Sequence, residues 1–227
     1  EPCSSHGWQR LLRVQPMKVT ACIATRGNID MEPILDSLPD KWQRVVWNNG
    51  QGEVWLQNEH GAAWTFQPVS DLGPHGRFAA IDHAAHDLIW VQDDDVVVSD
   101  PQQIVNEWMD LLNNHNRDDV VVANMPAEFR PHYPDSIMVG FGACFHRDAP
   151  ETAFTQFFDY HHNMSRTDPL FLRESCRIFS ILTPQYLVDV AKENMPYASD
   201  PDRLWKDKNH IKYRDEALSL AREVRDA

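Results

Sequence analysis

The chain has 227 residues, of which 42% are hydrophobic and 24% charged, and its formal net charge at pH 7 is −13. This composition is typical of a globular domain with a sizeable apolar core. The acid excess argues against a protein that coats nucleic acid or an anionic membrane, because those ligands attract clustered Lys and Arg. No apolar run approaches the roughly 20 residues of a membrane span. We therefore expect a soluble protein with no nucleic-acid partner and no membrane span.

The cysteines and the N-terminus bear on compartment and domain boundaries. The chain has four widely spaced cysteines and no CxxC pair: Cys3, Cys22, Cys144 and Cys176. That pattern suits neither a disulfide scaffold nor a zinc site, so we expect a reducing, cytoplasmic environment. Residues 1–16 lack the apolar stretch of a signal peptide, and Met17 resembles a natural start. We expect 1–16 to be an extension, either non-native or disordered, and 17–227 to be one domain.

Apolar runs typical of strands alternate with helical patterns along the chain. In order, strands are predicted at 18–24, 44–47, 54–57, 62–66, 88–91, 120–123 and 137–145. Helices are predicted at 30–38 and 76–86, from 101 onwards, and near 149–158, 170–180 and 213–225. Continuous apolar strands that alternate with helices predict an α/β fold, with a mainly parallel central sheet flanked by helices.

Three consecutive carboxylates, Asp93, Asp94 and Asp95, follow the buried strand predicted at 88–91. In α/β sheets the carboxyl ends of the strands line the ligand crevice. Carboxylates there suit Mg²⁺ or Mn²⁺ shared with substrate phosphates. Alternation in an extended chain would place Asp94 on the opposite side from the other two. Asp is also a common turn residue, so a solvated acidic turn is the alternative.

Six segments occur in an order that resembles a known family: Thr25-Arg26-Gly27, Val46-Trp47-Asn48-Asn49-Gly50, Gly76-Arg77-Phe78-Ala79-Ala80, Asp93-Asp94-Asp95, Val139-Gly140-Phe141-Gly142-Ala143-Cys144 and Asn209-His210. They resemble the DxD-type glycosyltransferases of the GT-A fold, of the family 2-like and exostosin-like kind. The likeness covers about residues 17–215. It implies a Rossmann-like GT-A domain that transfers a sugar from a nucleoside-diphosphate sugar, with a UDP-sugar favoured, to an unknown protein or glycan acceptor.

The resemblance also implies a metal cofactor and its ligands. Mn²⁺ or Mg²⁺ would be held by Asp95, Asp93 and His210, and Asp94 would contact the donor sugar at the catalytic centre. The metal would neutralise the pyrophosphate and stabilise charge on the departing nucleoside diphosphate. For His210 the alternative is an ordinary surface histidine.

The donor-binding residues implied by the resemblance come from five of the six segments. They are Thr25, Arg26, Gly27, Asn48, Asn49, Arg77, Asp93, Gly140 and Gly142. Arg77 near a helix start suits a phosphate, and glycines in a strand suit the close approach of a ligand or backbone. The alternatives are an Asn-Asn-Gly turn, an exposed helix arginine and a glycine bulge.

An inverting transferase needs a carboxylate as general base on the acceptor side, whereas a retaining one has no agreed requirement for that base. The exostosin-like resemblance favours retention, and both stereochemical outcomes stay open. By resemblance Glu174 is preferred, although Arg173 departs from the doubly acidic form of that motif. A structural alternative for Glu174 is an ion pair with Arg177. Asp168 is the other candidate, but Asp168-Pro169 is also typical of a helix N-cap. Tyr133, Trp205 and Tyr213 could stack on sugars or belong to the core.

Two other functions compete with glycosyl transfer. A nucleotidyltransferase of related fold usually carries a Gly- and Lys-rich triphosphate loop, whereas residues 25–28 are Thr-Arg-Gly-Asn. A non-catalytic glycan- or cation-binding module would bind cations without nucleotide. Glycosyl transfer requires an acidic chain to bind a doubly phosphorylated anion, so a local positive field from a cation, Arg26, Arg77 and His210 is expected.

Overall fold

The structure, a computed structural model, describes residues 18–58, 61–201 and 203–227. The expected extension at 1–16, the expected start at Met17 and Cys3 lie outside the described residues. No helix in the part of the chain described here is long and apolar enough to cross a membrane.

The described residues form strands and helices in an α/β order. The strands are β1 (Val19–Thr25), β2 (Gln43–Asn48), β3 (Glu53–Asn58), β4 (Gly61–Pro68), β5 (Leu88–Asp93), β6 (Val96–Val98), β7 (Val121–Asn124), β8 (Ala143–His146), β9 (Gln185–Val188) and β10 (Lys192–Asn194). The α-helices are α1 (Glu32–Asp36), α2 (Gly76–Ala79), α3 (Pro101–His115), α4 (Ala149–Tyr160), α5 (Pro169–Leu182) and α6 (His210–Arg225).

The central sheet has eight strands among the described residues, in the order β4-β3-β2-β1-β5-β8-β7-β9. Strand β1 pairs in parallel with β2 and with β5, and β7 pairs in parallel with β9. The other four pairings are antiparallel. The predicted α/β class is confirmed, but the sheet is mixed and the expectation of a mainly parallel sheet is wrong. The reason is that β3 and β4 return as hairpins from β2, and β8 runs antiparallel between β5 and β7.

Both faces of the central strands β1, β2 and β5 are buried, which explains their continuous apolar runs. All seven residues of β1 are buried. Cys22 belongs to a core with side chains of α2, α4, α5 and α6, including Phe78, Phe154 and Phe179. Its neighbour Ile23 faces the other core, which includes residues of α1 and α3. The sheet is therefore a central layer that fixes the positions of the residues at its strand ends.

Local signals predicted some element ends and failed at others. The predicted N-cap of α3 is confirmed, since the Asp100 carboxylate accepts a hydrogen bond from the Gln103 amide at 3.0 Å. The helix expected over 76–86 is shorter, with α2 followed by a 3-10 turn over Ala80–His83. The strand expected over 137–145 divides into a 3-10 turn, Val139–Phe141, and the short β8. Gly142 separates them with φ +104°, which a strand does not adopt.

Candidate functional site

The carboxyl ends of three parallel strands lie together at one edge of the sheet. In the ladders, Thr25 of β1 is opposite Asn48 of β2, and Ala24 is opposite Asp93 of β5. A cavity of about 1150 Å³ opens there. The strand register therefore brings the ends of three separate predicted segments to one cavity, as expected for a ligand crevice.

Most of the predicted site residues line this cavity. Those that do are Thr25, Arg26, Asn49, Arg77, Asp93, Asp94, Asp95, Gly140, Glu174 and His210. Gly27, Asn48 and Gly142 are not among the lining residues. The cavity thus joins residues from β1, β5, α2, α5 and α6, which are far apart in the sequence.

Asp93 is paired with Arg77 at the end of β5. The Arg77 Nη2 donates to Asp93 Oδ1 at 2.6 Å, and the arginine side chain is 6% exposed. Its Nε donates to the Pro74 carbonyl at 3.1 Å, which fixes the guanidinium. Arg77 is therefore a buried cavity residue, and the alternative of an exposed helix arginine does not apply.

Asp94 and Asp95 share a second arginine. The Arg203 Nη1 lies 2.7 Å from Asp94 Oδ1 and 3.4 Å from Asp95 Oδ2. The two aspartates lie in the turn between β5 and β6, not in an extended chain. One guanidinium reaches both, so the expectation that Asp94 and Asp95 face opposite sides is wrong.

Crowding of like charges marks Asp95. Burial raises the pKa of its carboxyl from 3.8 to about 6, and the nearby Asp93 and Asp94 carboxylates add to the shift, against the opposing effect of Arg203. A divalent cation would relieve this repulsion, and carboxylate oxygens are the donors that Mg²⁺ and Mn²⁺ prefer. The residues therefore fit the expected cation.

The fit depends on ligands from outside the protein. Within residues 18–58, 61–201 and 203–227, no three His, Cys, Asp or Glu side chains form a group that could hold a metal ion. Mg²⁺ is often held by one or two carboxylates together with substrate phosphates and water. Asp93 and Asp95 would be the two carboxylates that the protein supplies to the cation.

His210 begins α6 and lines the same cavity. Its Nδ1 is buried without a hydrogen-bond partner in the structure. Burial lowers the pKa of the imidazole, and the positive charges of Arg177 and Arg173 lower it further. The lowered pKa favours the neutral imidazole, the form that can accept a hydrogen bond or bind a cation. The alternative of an ordinary surface histidine does not describe this environment.

Glu174 lies at a kink in α5, where its backbone has φ −115° and ψ 15°. The side chain is buried and accepts a hydrogen bond from Arg173 Nε at 3.3 Å. Burial raises the pKa of the carboxyl above its usual 4.5, against the opposing charges of Arg177 and Arg173. A carboxylate with a raised pKa, on a cavity wall, has the properties of a general base.

Arg177 and Asp168 make structural contacts that do not involve Glu174. Arg177 donates to the Ile137 carbonyl at 3.2 Å and lies over the Tyr133 ring at 4.8 Å, and it makes no hydrogen bond to Glu174. Asp168 caps α5, because its carboxylate accepts from the Leu170 amide at 2.8 Å. Asp168 does not line the cavity. The capping role is sufficient to explain it.

The loops after β1 and β2 are held by their own polar side chains. Thr25 Oγ1 accepts from the Gly27 amide at 3.1 Å, and Gly27 has φ +75°. Buried Asn48 accepts from the Gln51 amide at 3.2 Å. Asn49 accepts from the Leu72 amide at 2.9 Å and donates to the Gly73 carbonyl at 3.0 Å. The Asn-Asn-Gly segment is thus a turn, and of its asparagines only Asn49 reaches the cavity.

The two predicted glycines near β8 have different surroundings. A Cβ on Gly140 would lie 2.0 Å from Asp93 Oδ2, so the close approach expected there is made by a carboxylate. A Cβ on Gly142 would lie 2.8 Å from the Trp90 ring, in the core. The lack of a side chain at Gly140 therefore leaves space for the Asp93 carboxylate. Gly142 packs in the core, and its position does not support a contact with the donor.

Arg203 is a cavity residue that the sequence did not single out. Arg203 is 109 residues from Asp94, and no motif or spacing connects them. Arg173 and Arg177 also line the cavity, as do Tyr133 and Trp205, two of the aromatics considered for sugar stacking. Tyr213, the third, lies under the Arg173 guanidinium at 4.8 Å. One available signal was the spacing of Arg173 and Arg177, which predicts a shared helix face.

Comparison with known proteins adds no relative. No protein-family model matches the chain, and no curated protein matches its sequence.

Proposed function

We propose that the protein is a metal-dependent glycosyltransferase that moves a sugar from a nucleoside-diphosphate sugar, with a UDP-sugar favoured, to a protein or glycan acceptor. The observation that carries the proposal is the composition of the cavity wall. Three consecutive carboxylates, which begin at the last residue of β5, and five arginines from other parts of the chain line one cavity at the carboxyl edge of the parallel strands. Such a site suits a divalent cation together with a phosphate-bearing ligand.

We assign a task to each of the main polar residues of the cavity. Asp93 and Asp95 would hold Mn²⁺ or Mg²⁺, and the bound cation would supply positive charge next to the departing nucleoside diphosphate. Arg26, Arg77 and neutral His210 surround the pyrophosphate, and Asp94 contacts the donor sugar. Thr25 and Asn49 form part of the cavity surface that contacts the nucleotide.

The acceptor side is assigned to Glu174. Its raised pKa makes the carboxylate a stronger base than an exposed one, and its position on the cavity wall allows it to take the acceptor proton. Arg173 holds the carboxylate through the 3.3 Å hydrogen bond. This role is the one required of an inverting enzyme.

We also propose a GT-A fold and a cytoplasmic location for this protein. A Rossmann-like GT-A domain is supported by the parallel β2-β1-β5 core and by the acidic turn that follows β5. A cytoplasmic location is supported by Cys22 and Cys144, which are buried and unpaired in β1 and β8.

Calorimetry with UDP tests the proposal directly. We expect UDP to bind in the presence of Mn²⁺ and to lose at least about tenfold in affinity when EDTA replaces the metal. Cation binding without any nucleotide affinity would instead support a cation-binding module. In a separate enzyme assay, release of pyrophosphate from a mixture of UTP and a sugar phosphate would support a nucleotidyltransferase. Either result would contradict glycosyl transfer.

A further inference from the structure

Arg203 is the residue that neutralises the acidic turn in the structure. Its side chain is 9% exposed, and those of Asp94 and Asp95 are 7% and 14% exposed. Three carboxylates are crowded at this turn, and Arg77 pairs with Asp93. Arg203 therefore supplies positive charge where the proposed function places a cation.

The guanidinium has anchors that do not involve Asp95. Its Nη1 is 2.7 Å from Asp94 but 3.4 Å from Asp95, so the Asp94 contact is the stronger of the two. Its Nε donates to the Tyr197 carbonyl at 3.1 Å. The guanidinium carbon also lies 5.6 Å from the centre of the Tyr197 ring. Arg203 can lose Asp95 and still be held by Asp94 and Tyr197.

One donor of Arg203 is unused. Its Nη2 is buried and has no hydrogen-bond partner in the structure, and the same is true of Asp94 Oδ2. Unsatisfied groups of this kind cost free energy unless they serve a ligand or an alternative arrangement. Arg203 lines the cavity, so a phosphate bound there would give Nη2 a partner.

We propose that Arg203 is a counter-ion that exchanges with the cation. Without metal, it holds Asp95. On metal loading, the Asp95 carboxylate leaves Arg203 for the cation, while Arg203 stays on Asp94 and Tyr197 with its Nη2 available to the anionic part of the donor. The proposal rests on the proposed function for the identity of that donor, but the exchange itself concerns only Arg203, Asp95 and a divalent cation.

The exchange makes Arg203 a competitor of the cation. A positive charge a few ångströms from the site opposes a second one, and that repulsion is large in a partly buried environment. Removing the charge should therefore strengthen cation binding, whereas a merely structural Arg203 would weaken it or leave it unchanged when replaced.

Mn²⁺ titration calorimetry on the full chain, without nucleotide, tests this competition. Arg203→Gln removes the charge and keeps a hydrogen-bonding side chain, and Arg203→Lys keeps the charge. The control is Arg117→Gln, which removes an exposed arginine paired with Asp119. We expect Kd for Mn²⁺ to fall about tenfold in Arg203→Gln, or about 1.4 kcal/mol, and to stay within about twofold of the wild type in the other two.

Equal or weaker Mn²⁺ binding in Arg203→Gln would overturn the proposal, as would a gain of the same size in Arg203→Lys. If Arg203→Gln does not fold, NMR of the wild type with Mg²⁺ replaces it. The Arg203 Nε signal, assigned by its absence from the Arg203→Lys spectrum, should shift saturably with Mg²⁺. A signal that stays in place would equally overturn the exchange.

The two proposals fail separately. A protein that shows the tenfold gain but does not bind UDP contradicts the proposed transferase and leaves the exchange intact. A protein that binds UDP with Mn²⁺, but shows no gain in Arg203→Gln, contradicts the exchange alone.

Discussion

The cavity has two walls of different origin. One is the strand-end wall, made of the ends of β1 and β5 with their loops and containing Thr25, Arg26 and Asp93–Asp95. The other is the helical wall, made of α5, the start of α6 and residues 203–205, with Arg173, Glu174, Arg177 and Arg203. The first wall supplies three crowded carboxylates and the second supplies three of the arginines. Local strand ends therefore fix the acids, while the arginine that binds Asp94 and Asp95 comes from a distant part of the chain.

The largest effect should come from the strand-end wall. Asp95→Asn removes the charge of the proposed metal ligand, so Mn²⁺-dependent release of UDP from a UDP-sugar should fall by about 100-fold or more. Asp118→Asn, an exposed aspartate, should leave the rate unchanged. The rate is measured as UDP formed per enzyme. Full activity in Asp95→Asn would show that the metal does not bind at the strand-end wall.

The next effect should come from the helical wall. Glu174→Gln removes the proposed base, so sugar transfer should fall by about 100-fold or more, with Mn²⁺-dependent UDP binding unchanged. Burial raises the pKa of Glu174, and the base acts when deprotonated. The wild-type rate should therefore fall on acidification at a higher pH than the usual 4.5 of an exposed glutamate.

Turnover against pH and UDP calorimetry check this prediction, with the exposed Glu216→Gln as control. Normal transfer by Glu174→Gln would show that this carboxylate does not act as the base. Loss of UDP binding instead of turnover would move Glu174 to the donor side.

The sequence predicted the strand-end wall well and the helical wall poorly. Asp93–Asp95 could be placed at a strand end because a buried strand precedes them. Parallel pairing then puts that strand end at the same edge of the sheet as the ends of its neighbours. Arg203 could not, because its contact with Asp94 spans 109 residues and leaves no periodic signal. The sheet's antiparallel half was missed because periodicity indicates a strand but not its direction. The short β9 was missed because it has only four residues, of which Tyr186 and Leu187 are exposed, and β10 was missed because its three residues are all polar.

A smaller effect concerns a partly buried histidine that packs against α4 and α5. His75, in a 3-10 turn before α2, packs against Phe154 of α4 and Phe171 of α5, with ring centroids at 5.6 and 4.9 Å. Burial, with a contribution from Arg166, lowers the pKa of its imidazole from 6.5 to about 4. The unfolded chain therefore takes up the proton first, so stability present above pH 6.5 is lost as the pH falls towards 4.

That loss should amount to at most about 3 kcal/mol in the free energy of unfolding. Urea unfolding at pH 7 and pH 4.5 measures it. His75→Phe should reduce the difference between the two pH values, whereas the exposed His132→Asn should keep it. An unchanged difference in His75→Phe would show that another group controls acid stability.

The smallest effect should come from the outer end of α6. Asp135 accepts hydrogen bonds from Arg222 at 2.8 Å and from Arg225 at 3.0 Å, and these lower the pKa of its carboxyl to about 2. Its stabilisation is present above about pH 4 and is lost as the pH falls towards 2. The site is partly exposed, so Asp135→Asn should cost only about 1 kcal/mol at pH 7, seen as a lower Tm. No change in Tm would show that α6 is held by its apolar face alone.

A crystal structure with UDP and Mn²⁺ tests the central claim most directly. We expect the anomalous signal of Mn²⁺ beside Asp95, the pyrophosphate between the metal and the arginines, and the nucleotide inside the cavity at the ends of β1 and β5. Mn²⁺ bound elsewhere, or UDP outside this cavity, would contradict the account.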